Sequence, residues 1–115
     1  MMVEDLVKRL DSVVTDMILW LRQKAGVFRA QKKYRLANKL SGLAAELGDA
    51  FRPLKHYSTE EVAEGLLLKA YGEFYRVCTS ILFEVGDIDV DKTNEFHSKA
   101  TDLATEIVLI TLRGD

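Results

Sequence analysis

The residues best suited to chemistry are a block of cations followed closely by a block of carboxylates. From Met17 to Ala45 the chain has seven basic residues, Arg22, Lys24, Arg29, Lys32, Lys33, Arg35 and Lys39, and no acidic one. Glu46, Asp49, Glu60, Glu61 and Glu64 follow. Carboxylate oxygens hold hard Mg2+ ions, while Lys and Arg neutralise phosphate oxygens beside them. Basic next to acidic is therefore the composition that a metal–phosphate site requires. The competing reading is a pair of solvated helix faces, where charge is ordinary.

Other chemistries find less support. His56 and His97 are far apart, and no nucleophile constellation surrounds either. The single cysteine, Cys78, cannot form an internal disulfide; it sits on an apolar stripe, which points to a buried thiol rather than a nucleophile. No glycine-rich phosphate loop and no Cys/His zinc spacing occur. Arg52-Pro-Leu-Lys-His56 resembles the Arg…His pair of helical ribonucleases, but the spacing is short and Pro53 lies between the two. A net charge of −2 argues against non-specific nucleic-acid binding. No apolar run approaches the ~20 residues of a membrane span. Glu4 and Asp5 stand where a signal sequence would carry basic residues, so a cytoplasmic location is expected.

These side chains need helices to position them. The 115 residues suit one domain, 1–115, with 48% apolar and 30% charged residues and one proline. Leu6, Val7, Leu10, Val13, Val14, Met17 and Leu21 form a stripe that predicts a first helix from about Glu4 to Ala25, ended by Gly26. Leu36, Leu40, Leu43 and Leu47 predict a second over about Gln31 to Phe51, stopped by Pro53. Ser58-Thr59-Glu60-Glu61 has the form of a capping box. Behind it Val62, Leu66, Ala70, Phe74, Val77, Ile81 and Val85 form one inward stripe that predicts a third helix to about Val85. Asp89 or Asp91 can cap a fourth over about Lys92 to Leu112, with Phe96, Ala100, Leu103, Ile107 and Ile110 inward.

Short connections make neighbouring helices antiparallel, so the expected fold is an all-α, four-helix antiparallel bundle. Helix two carries the small residues Ala37, Ser41, Ala44, Ala45 and Gly48. Such a face serves either close packing within the chain or a dimer interface, and both readings stand. A domain this small often completes its core with a partner, so a homo-oligomer is expected.

The stretch Lys39-Leu-Ser-Gly-Leu-Ala-Ala-Glu46-Leu-Gly-Asp49-Ala-Phe-Arg52, followed by Glu60-Glu61-Val-Ala-Glu64, resembles the core of the MazG-like all-α nucleoside triphosphate pyrophosphohydrolases. Trp20-Leu-Arg-Gln-Lys24 is similar to the aromatic-plus-lysine ending of that family's first helix. The resemblance implies four-helix units assembled as dimers or tetramers, cleaving a nucleoside triphosphate to monophosphate and pyrophosphate. It also implies Mg2+ held by Glu-Glu-x-x-Glu on helix two and Glu-x-x-Asp on helix three.

Two registers fit that pattern. One takes Glu60-Glu61-x-x-Glu64 with Glu84-Val-Gly-Asp87, but a continuous helix sets Glu64 and Glu84 ~30 Å apart. The other keeps the family's helix order. Glu46 then takes the third acid of helix two, Glu61 and Glu64 take the helix-three pair, and Asp49 assists. Gly42 and Leu43 occupy the places of the first two glutamates.

The resemblance thus implies Mg2+ at Glu46, Asp49, Glu61 and Glu64, with Lys32, Lys33, Arg35 and Lys39 screening the substrate's phosphates. The expected function is a divergent MazG-like pyrophosphohydrolase or nucleotide-binding relative. The alternative is a non-catalytic helical module that binds proteins and acts as a homo-oligomer.

Overall fold

In the computed structural model the described residues are 2–55, 60–84 and 90–113; the side chains of several helix-end residues, Glu61 and Glu64 among them, lie outside that description. Four α-helices follow one another: α1 Met2–Ala30, α2 Tyr34–Phe51, α3 Glu60–Glu84 and α4 Val90–Arg113. A 3-10 turn, Arg52–Lys55, follows α2 and contains Pro53. No strand occurs among the described residues. The protein is all-α, as the apolar periodicity predicts, and no described helix is long and apolar enough to cross a membrane.

The helices form an elongated bundle with Cα extents of 51 × 25 × 17 Å. Arg9 of α1 donates to Glu106 of α4 at 2.5 Å, while Trp20 meets Phe96 with ring centroids 5.8 Å apart. Residue numbers rise along one helix as they fall along the other, so α1 and α4 are antiparallel. The core is built from the predicted stripes. Leu10, Met17 and Leu21 are fully buried, as are Leu40 and Leu47 of α2 and Phe74, Val77 and Ile81 of α3. Phe96 and Leu103 represent α4. Val62, Val85, Ala100, Ile107 and Ile110, also expected inward, lie outside the side chains described.

Ala37 and Ala44 of the small-residue run are buried within the single chain, whereas Ala45 is exposed. Short side chains there let helices approach closely. The packing reading therefore accounts for the buried members of the run.

The first helix departs from expectation. It does not stop at Gly26 but continues for another turn to Ala30, and α2 starts at Tyr34 rather than Gln31. Glycine within a helix interior costs only about 1 kcal/mol relative to alanine. Ala25 is buried beyond Trp20, and Phe28 packs on the core, so tertiary contact carries the helix through Gly26. Trp20 accordingly lies mid-helix against Phe96 rather than at a helix ending. The expected cap at Ser58 lies outside the described residues.

Candidate functional site

The tight turn joining α1 to α2 organises the cations. Lys32 N–H donates to the Arg29 carbonyl at 3.0 Å, and Lys33 N–H donates to the Phe28 carbonyl at 2.8 Å. Nested bonds of this kind define a Schellman ending, which needs a left-handed residue at its pivot. Lys32 is that residue, with φ 63°. Glycine usually fills this position because a β-carbon there costs about 1–2 kcal/mol. At the two positions where the motif usually places a hydrophobic contact, Lys33 Nζ lies 5.7 Å from the centre of the Phe28 ring, a cation–π contact.

Lys33 is also the N-cap of α2, and its side chain caps nothing. The first-turn amides of Tyr34, Arg35 and Leu36 therefore lack both an intrahelical acceptor and a capping oxygen. No acidic residue stands in that first turn. Helix dipoles favour anions at the N-terminus and cations at the C-terminus. In α2 the charges run the other way, with Lys33, Arg35 and Lys39 at the positive end and Glu46 and Asp49 towards the negative end. Three local features here, the strained Lys32, the missing cap and the inverted charge, each cost stability. An anion at this end would offset the last two.

The cations border an open cleft of about 1120 Å³, lined by Lys32, Lys33, Tyr34, Arg35, Leu36, Asn38 and Lys39. All four residues expected to screen phosphate thus line one cavity. Lys32 and Arg35 have no acidic partner among the described residues. Tyr34 and Asn38 did not figure among the expected site residues. Their signal was the four-residue spacing beside Arg35 and Lys39, which sets two parallel ridges along the first turns of α2.

The acids are arranged differently. Glu46 accepts a hydrogen bond from Arg76 of α3 at 2.6 Å, and Arg76 also bonds Glu73. Asp49 is paired with Arg52 at 3.1 Å. Each described member of the expected Mg2+ set thus already neutralises an arginine. Because α3 is continuous, the Arg76 level lies twelve residues, roughly 18 Å, beyond Glu64. Glu46 stands opposite Arg76, so it is not brought level with the helix turn that carries Glu61 and Glu64. The side chains of Glu61, Glu64 and Glu84 lie outside the description, as does Asp87 entirely. Among the described residues no group of three His, Cys, Asp or Glu side chains is placed to hold a metal. The Arg76–Glu46 contact has no local signal, since the two residues are thirty positions apart.

Titration follows these contacts. The hydrogen bond from Arg76 lowers the Glu73 pKa despite some desolvation, and Glu73 and Glu46 together raise that of Arg76. Burial pushes the Cys78 thiol up to about 12, which makes it a poor nucleophile. Burial also raises Tyr71, with Tyr75 and Cys78 adding to the effect. His97 is half-buried, its ring 5.3 Å from that of Tyr75. Comparison of the chain with family models, curated proteins and solved structures gives no match.

Proposed function

We propose that the protein binds the phosphate chain of a nucleoside triphosphate at the α1–α2 turn, as a nucleotide-binding, divergent relative of the MazG-like pyrophosphohydrolases. The observation that carries this reading is the convergence of Lys32, Lys33, Arg35 and Lys39 on one cleft at an uncapped helix start. Helix N-termini bind phosphate through backbone amides and the dipole together, and adjacent cations strengthen that binding. Such a protein works where nucleotides and reduced thiols abound, which suits the cytoplasm.

Mg2+ enters this proposal with the nucleotide, whose oxygens and waters supply most of its ligands. Turnover would draw on Glu46, Asp49, Glu61 and Glu64. Any ion at α2 must first displace Arg76 from Glu46 or Arg52 from Asp49. The proposal is therefore binding without turnover. Calorimetry with ATP, with and without Mg2+, tests it alongside an assay for released pyrophosphate. Binding that weakens in Arg35→Gln/Lys39→Gln, with no pyrophosphate released, supports it. A folded sample that binds no ATP refutes it. Pyrophosphate release abolished by Glu46→Gln/Glu64→Gln would instead establish a catalytic Mg2+ site at the acids.

Self-association has its own observation, on the outer face of α3. Leu68 and Tyr75 are 36% and 45% exposed, with the exposed Gly65 and Gly72 at the alternating three- and four-residue spacing of a helix seam. A second copy of α3 suits this face because both glycines leave open space for close approach. Sedimentation should show a dimer that Leu68→Glu dissociates. A monomer at high micromolar concentration removes the homo-oligomer.

A further inference from the structure

The cleft at the start of α2 holds more than cations. Tyr34 is 55% exposed and stands first in the helix, one turn before Asn38. Arg35 and Lys39 form a parallel ridge beside this pair, and all four residues line the same cavity. Cations alone would serve inorganic polyphosphate as well as any nucleotide. An exposed aromatic ring beside them serves a ligand with a flat apolar part.

Asn38 adds a polar group of defined orientation. Its Oδ1 accepts from Arg29 Nη2 at 3.3 Å. Arginine can only donate, so the atom facing Arg29 is the carbonyl oxygen. The Asn38 amide nitrogen keeps its donors for another acceptor.

We propose that Tyr34 is the stacking platform for a nucleobase, that the Asn38 amide donates to an acceptor on the base edge, and that Arg35 and Lys39 hold the attached phosphates. The site thereby prefers nucleotides over inorganic polyphosphates. The inference rests on the phosphate-binding reading above and adds the base to it. Stacking on an aromatic side chain tolerates every base, because each has a π face. Discrimination among bases then falls to Asn38.

Titration calorimetry on the full chain without metal, using ATP and inorganic triphosphate as probes, separates the two readings. ATP should bind about tenfold more tightly than triphosphate, the scale of one stacked base. Tyr34→Ala should remove that advantage and leave triphosphate affinity unchanged, while Tyr34→Phe should retain it. The position is exposed, and circular dichroism of each variant checks that the fold persists. Equal affinity of the parent protein for both probes overturns the stacking proposal while leaving phosphate binding intact. So does Tyr34→Ala with undiminished ATP affinity. Failure of both probes to bind overturns both readings together.

Discussion

Replacing Lys32 with glycine separates what the α1–α2 turn does for the fold from what it does for a ligand. The left-handed φ of 63° costs an ordinary residue about 1–2 kcal/mol, which glycine avoids. Glycine's greater freedom in the unfolded chain takes back about 0.5–1 kcal/mol. The net expectation for Lys32→Gly is a gain of about 0.5–1 kcal/mol, or roughly 2–4 °C in Tm for a domain of this size. Removing the charge has opposing effects, since Lys32 sits favourably at the end of α1 and unfavourably before the start of α2. Lys32→Ala removes the same charge but keeps a β-carbon at the strained position, so it should not stabilise. Both variants should weaken triphosphate binding roughly fivefold, about 1 kcal/mol for one lost cation. Chemical denaturation followed by circular dichroism, paired with calorimetry, reads both effects. If Lys32→Gly is no more stable than Lys32→Ala, the turn holds no strain and the reasoning fails.

Gly26→Ala should raise stability by about 1 kcal/mol in the same denaturation assay, because the added β-carbon meets nothing within 4 Å in the helix interior. Cys78 should resist iodoacetamide in native buffer and react fully in denaturant; rapid labelling of the folded protein would contradict its burial. In alkali the unfolded thiol ionises near pH 9 while the folded one holds its proton to about 12. Over that window the unfolded state binds fewer protons, so stability falls as pH rises, and less steeply in Cys78→Ala. Glu73 carries the opposite sign. Its lowered folded pKa contributes stability above the unfolded value of about 4.3, lost as pH falls through the folded value. Arg76→Gln should therefore be less stable than the parent at pH 7, with the gap closing as pH falls through the folded value of Glu73.

The architecture was legible because helical burial leaves a short-period trace. Leu10, Met17, Leu40, Leu47, Phe74 and Phe96 are buried as their spacing predicts. The end of α1 was misplaced for a physical reason. Glycine is the usual residue at a left-handed helix ending, so Gly26 reads as the stop, yet Lys32 takes that conformation six residues later. The pairing of Phe28 with Lys33 across the turn was the available sign. Lys32, Lys33, Arg35 and Lys39 could be grouped from the sequence because they share one turn and the adjoining helix start. The acids could not be placed in this way. How Glu46 stands along α3 depends on packing between helices, and its contact with Arg76 leaves no local mark.

Backbone amide NMR shifts on titration with inorganic triphosphate test the central claim most directly. The account predicts that the largest changes fall on the amides of Tyr34, Arg35 and Leu36, with saturation, and that they shrink as salt rises. Changes centred on Glu46 and Asp49, or no change at millimolar triphosphate, would contradict it.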